Sequence, residues 1–143
     1  MEELAEHLHP MIVHFPIALL LAAVALDLAA LIFRRPALHR VALWNLCLGT
    51  LGAGVAVWSG LEASEVAKHS FEIWKVMSLH QRLGQSTLAL GVLLCAIRLP
   101  RRDQLSARVR LLTIALAMGM AGTLSYGAYL GGRMVYELGV GLR

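Results

Sequence analysis

A chain of 143 residues that is 58% hydrophobic and 15% charged, with a mean hydropathy of +0.67, is too apolar for an ordinary soluble domain. Its net charge of +4 sits largely on arginines in short connecting segments, which reads as an insertion signal and excludes a nucleic-acid footprint. The two cysteines, Cys47 and Cys95, show no ligand-like spacing and read as small apolar residues.

Four apolar stretches follow one another, Met11–Phe33, Val41–Ser59, Leu83–Ile97 and Leu111–Leu130, and Asp27 is the only acidic or basic residue inside them. A span needs about 20 residues, and about 17 at the short end. The reading is an all-α, four-transmembrane-helix bundle in a single integral membrane domain over 1–143, with helices at about 10–33, 41–60, 79–99 and 109–131. The first stretch opens on His9-Pro10, where proline suits the first helical position, and Pro16 is expected to kink it. Acidic Glu2, Glu3 and Glu6 stand where a signal peptide would carry a basic region, so this segment is expected to remain. The third stretch reaches spanning length only from about Leu79, and Ser78 with Gln81 supplies the spacing of a capping box that places His80 in the first turn.

Between the second and third stretches, Val66, Ser70, Ile73, Trp74 and Met77 recur at helical spacing, with Glu65, Lys68, Glu72 and Lys75 elsewhere on the wheel. That pattern predicts a short amphipathic interfacial helix over about 62–77. His69 falls about 40° from Ile73 and so near its apolar face. Arg34, Arg35 and Arg40 fill the first connection, and Arg98, Arg101, Arg102, Arg108 and Arg110 fill or flank the third. Positive-inside bias makes that side cytoplasmic, which places a multi-pass protein in a bacterial inner membrane with both termini periplasmic. Trp44 and Trp58 then mark the two aromatic belts.

The helical wheels point to chemistry. His14, Ala18, Ala22, Ala25 and Ala29 fall within about 80° of arc, as do His80, Gly84, Thr87, Gly91 and Cys95. Ala115, Gly119, Thr123, Gly127 and Gly131 recur every four residues in the last stretch. A histidine above a small-residue row on two helices is what a b-type haem needs: two neutral imidazoles on facing helices, and little bulk beside them. His14 and His80 are the expected axial pair, with Gly84 beside the ring and Arg82 and Arg133 as propionate partners by charge. The expected function is membrane electron transfer with a redox partner or larger membrane complex; self-association is left open. His9 and His69 remain as further metal ligands. Copper is the alternative cofactor, through imidazole with Met11, Met77 or Met134. A cofactor-free accessory subunit is the rival from another class, since small-residue rows also serve plain helix packing. No serine or cysteine shows the spacing of a nucleophilic site, so an electron carrier or accessory role is favoured over an enzyme. His39 reads as an interfacial loop residue, and Asp27 as the partner of an arginine near the inner interface.

HPMIVHFPIALL, beginning at His9, and GGRMVYELGVG, beginning at Gly131, resemble the opening and closing signatures of a bacterial four-helix membrane family known as domain of unknown function 2231. The resemblance covers nearly the whole chain, with Leu142 where the closing signature has valine. It singles out His9, Pro10, His14, Phe15 and Pro16 at the front and Gly131, Gly132, Val135, Tyr136, Gly139 and Gly141 at the back. Relatives are in some cases fused to Rieske-type iron–sulfur domains, which implies a redox setting by analogy. Tyr136 joins the site residues on this basis, with the closing segment expected to fold over the histidine of the first helix.

Overall fold

The computed structural model describes residues 2–66, 70–101 and 104–140, with side chains for all of these except 2–8 and 65–66. His69 and Gly141, and the side chain of His7, lie outside the described residues. Four helices follow in order: α1 (Glu2–Ile32), α2 (Ala37–Val66), α3 (Phe71–Arg98) and α4 (Ala107–Tyr136). Each packs on its chain neighbours and α4 closes back on α1, most intimately α1 on α2 and α3 on α4.

The molecule is inside-out relative to a soluble bundle. Leu51 is 70% exposed, and Leu111, Leu112 and Val92 also face outward. Asp27, His39, Thr50, Ser59, Thr87, Arg98 and Thr113 are buried. Large apolar side chains face outward when the surroundings are hydrocarbon, while polar groups turn inward to find partners. Among the described residues every buried side-chain nitrogen or oxygen has one. Three helices are long and apolar enough to cross a membrane, over His9–Ile32, Ala37–Ser64 and Ala107–Tyr136. In α3 the first half is diluted by His80, Gln81, Arg82, Gln85 and Ser86, which is why it falls short of the others.

The helices run past the expected ends. Pro10 is internal to α1 rather than its first residue. It stands two turns into the helix, where its missing N–H forgoes one hydrogen bond of the ladder. Among the described residues there is no separate interfacial helix: α2 continues to Val66, and Phe71 to Met77 form the first two turns of α3. Its cap is Ser70, whose side chain accepts from the Ile73 N–H at 3.3 Å. Ser78 lies within the helix and donates back to the Lys75 carbonyl at 3.0 Å, so the expected capping box is not used. The amphipathic period was real, but a helix that is continuous with α3 satisfies it equally well.

Close approach of α1 and α2 follows from glycine. A Cβ on Gly49 would lie 2.8 Å from the Leu20 side chain, and one on Gly52 would lie 3.3 Å from Pro16. The core at mid-depth is Leu20, Ala23, Val24, Leu46, Leu94 and Met120. Thr87 and Thr123 bridge α3 to α4 there at 2.9 Å.

Candidate functional site

Two polar clusters lie at opposite ends of this core. At the end where α1 meets α2, Arg98 of α3 donates to the Asp27 carboxylate through both terminal nitrogens, at 2.6 and 3.1 Å. The second of these nitrogens also reaches the His39 backbone carbonyl at 3.1 Å. The His39 imidazole meets the other side of Asp27, with Nδ1 2.8 Å from Oδ1. Asp27, Arg98 and His39 are 2%, 3% and 6% exposed. The arginine expected for Asp27 is thus Arg98. His39, expected in an interfacial loop, is instead in the first turn of α2 and buried. Desolvating a charge is tolerated when it is paired and hydrogen-bonded, and here three helices share one carboxylate.

The other cluster is the histidine pole. His9 of α1 and His80 of α3 approach with ring centroids 6.3 Å apart and planes at 87°. His80 Nδ1 donates to the Gly127 carbonyl at 2.8 Å; a carbonyl only accepts, so this nitrogen carries the proton. Ser59 Oγ donates to the Ala56 carbonyl at 3.1 Å. The same oxygen lies 3.0 Å from His9 Nδ1, and the His9 ring also hydrogen-bonds the Ala56 backbone. With Nδ1 as the donor, the His80 Nε2 is the ring nitrogen left to ligate or accept a proton.

Glycines make room for both rings. A Cβ on Gly60 of α2 would stand 2.8 Å from His9 Cε1 and 3.3 Å from its Nε2, and one on Gly131 of α4 would stand 3.3 Å from His80 Cε1. The row on α3 faces inward as expected, with Thr87 and Gly91 buried and His80 and Gly84 half-buried. The row on α4 splits: Gly127 and Gly131 meet α3, while a Cβ on Gly119 would touch nothing within 4 Å.

The expected pairing of His14 with His80 is not formed. His14 is exposed, its Nδ1 hydrogen-bonding the Pro10 carbonyl one turn back at 2.7 Å, and Ala18 and Ala25 of its row are exposed too. The inward face of α1 carries Pro16, Leu20, Ala23, Asp27 and, in line with them, His9. A direct signal existed: His9 and Asp27 are eighteen residues apart, five whole turns, as are His80 and Arg98.

The other expected site residues scatter. Arg82 is exposed. Arg133 pairs with Glu137 one turn on at 2.8 Å, and Tyr136 is 87% exposed. The described end of the closing segment turns back on α4 itself, the Val140 N–H bonding the Met134 carbonyl at 2.9 Å. Gly139 does take positive φ, at 68°, as a turn after a helix end requires. Of the three methionines, Met11 is 73% exposed whereas Met77 and Met134 are buried. Cys47 and Cys95 prove to be neighbours, with sulfurs 3.7 Å apart. No group of three or more histidine, cysteine, aspartate or glutamate side chains suited to a metal ion is present among the described residues.

Fold and site together define an all-α membrane bundle with a polar interior, closed at one end by an ion pair and bringing two imidazoles together at the other. The chain belongs to the DUF2231 family, described as a predicted membrane protein, whose model matches residues 5–143. No curated protein and no solved structure matches the chain.

Proposed function

We propose that the histidine pole holds a b-type haem with His9 and His80 as axial ligands, and that the protein is an electron-transfer component of a membrane redox chain. The observation that carries this is the close approach of two imidazoles from helices diagonal in the bundle, with the His80 Nδ1–H anchored on the Gly127 carbonyl so that its Nε2 is free to ligate. Ligating histidines are oriented in this way, the outer N–H held by a carbonyl or other acceptor so that the inner nitrogen is aimed and made more basic. The 6.3 Å between ring centroids puts the two rings within reach of one metal.

The number of ligands favours haem over a bare ion. A tetrahedral ion wants about four protein ligands, and two imidazoles cannot supply them. A porphyrin brings its own four nitrogens and asks the protein for the axial pair alone. The group would contribute reversible one-electron exchange. The chain's own residues would fix the ligand geometry: Ser59 and the Gly127 carbonyl hold the tautomers, and Gly60 and Gly131 keep the rings free of steric contact. The arginine-rich connections argue for a cytoplasmic arginine pole, which puts the histidine pole toward the periplasm, where a soluble redox partner would have access.

The test is the absorption spectrum of the purified protein. A Soret band with low-spin bis-imidazole features is expected in the parent and in His14→Ala, and its loss in both His9→Ala and His80→Ala. A colourless parent reconstituted with haem and still colourless refutes the reading and leaves the accessory-subunit role. Stoichiometric copper in that same preparation would support copper at the histidines instead.

A further inference from the structure

The connection between α1 and α2 carries a second site, independent of the histidine pole. α1 ends by a left-handed turn in which the Arg35 N–H bonds the Ala30 carbonyl at 3.0 Å and the Arg34 N–H reaches the Leu31 carbonyl at 3.4 Å. The residue in the left-handed position is Arg34, with φ 51°, the only described non-glycine residue at positive φ. Glycine is the usual occupant of that position because a Cβ there meets the following carbonyl oxygen. Backbone strain of this kind, where a cheaper residue would serve, points to a requirement on the side chain.

What the turn builds is an amphiphilic corner. A cavity of about 400 Å³ opens beside it, lined by Phe33, Arg35, Ala37 and Leu38. Arg34, Arg35 and Arg40 of the same connection are exposed, and Phe33 is 67% exposed. Among the described residues none of these guanidinium groups meets a carboxylate: the one described acid at this end is Asp27, which Arg98 and His39 already occupy. The first turn of α4, at the same end, has no acidic residue either. A concentration of positive charge at the membrane surface, with apolar side chains immediately below it, matches an anionic amphiphile in charge and in polarity.

We propose that this corner binds an anionic phospholipid. Arg34, Arg35 and Arg40 take the phosphate, for which the planar guanidinium fork is suited, and Phe33 and Leu38 lie along the glycerol and upper acyl chains. Basic pockets at the level of the headgroups are the usual form of such recognition.

The experiment measures binding to the intact chain in neutral detergent micelles, by native mass spectrometry, with phosphatidylglycerol, phosphatidylcholine and inorganic phosphate as separate probes. Phosphatidylglycerol is expected to bind at least about fivefold more tightly than phosphatidylcholine, and Arg35→Gln to weaken it about fivefold. The triple variant R34Q/R35Q/R40Q should lose the preference altogether. Lys75→Gln, which removes a cation at the other pole, should keep it. Should the triple variant fail to fold, R34K/R35K/R40K tests the same point: the preference is expected to persist in weaker form because charge remains while the fork is lost. Preference undiminished in Arg35→Gln, equal losses in Lys75→Gln, or inorganic phosphate displacing the lipid at equal concentration would each overturn the proposal, the last in favour of a soluble-anion site.

Discussion

The two poles of the bundle are built on the same face of the same two helices. His9 and Asp27 stand five turns apart on α1, and His80 and Arg98 stand five turns apart on α3, a separation of about 27 Å that nearly matches the hydrocarbon thickness of about 30 Å. At the arginine pole the diagonal contact is closed: both carboxylate oxygens are bound by Arg98, one of them also by His39, and His39 lends its backbone oxygen as well. At the histidine pole two rings meet instead, His9 bonded to Ser59 and the Ala56 backbone of α2 and His80 to the Gly127 carbonyl of α4. A polar network with every valence met is a fastening. Under the haem reading the other pole is a binding site. The contrast separates structure from function within one pair of helices, and it can be broken at either end.

The largest effect is expected at the closed end. Arg98→Ala leaves a buried carboxylate with only a histidine to share it, and removing one partner of a buried ion pair costs about 3–5 kcal/mol. Reversible unfolding in mixed micelles should show this, and Asp27→Leu combined with Arg98→Leu should recover most of it. A double variant as unstable as the single would mean that the network is not the fastening described. Next comes Gly60→Ala. Its Cβ would lie 2.8 Å from His9 Cε1, so the ring must shift, at the about 1–3 kcal/mol typical of overpacking. Under the haem reading the Soret band weakens in step, whereas Gly119→Ala, facing open space, should leave both stability and spectrum unaltered.

Ser59→Ala comes third. It takes the acceptor from His9 Nδ1, a hydrogen bond worth about 1 kcal/mol, and in the loaded protein should shift the reduction potential without removing the group. An unchanged potential would reduce Ser59 to a packing residue. His14→Ala is the smallest. An exposed ring bonded only within its own helix should change stability by less than about 0.5 kcal/mol, and a large loss of spectrum in this variant would return the ligand role to His14.

Much of the architecture could be read before any coordinates. Four apolar stretches, arginine-rich connections and the two end motifs sufficed for an all-α membrane bundle and for its family. The inward row on α3 was read correctly because it holds glycine, threonine and cysteine amid leucines, a strong contrast on one wheel. On α1 the same reasoning chose the outward row: alanines occur on both faces there, with Ala23 and Ala30 buried and Ala18 and Ala25 exposed. The ends of the helices were misplaced for a related reason. Pro10 and the Ser78 spacing are start signals whose strength depends on what precedes them, and in each case the chain already had a helix to continue.

The sequence by itself determined the class of molecule and the eighteen-residue spacing that sets two polar residues at each pole. Only the tertiary structure turned His9 inward and left His14 exposed. The hydrophobic effect that orients a helix in water gives no such guidance in a bilayer, because lipid is as apolar as the core and helix faces are chosen by close packing and by hydrogen bonds to neighbours. Those neighbours, Ser59 and Gly60 for His9, Gly127 and Gly131 for His80, and Arg98 and His39 for Asp27, lie on other helices. Their contribution exists only once the four are assembled.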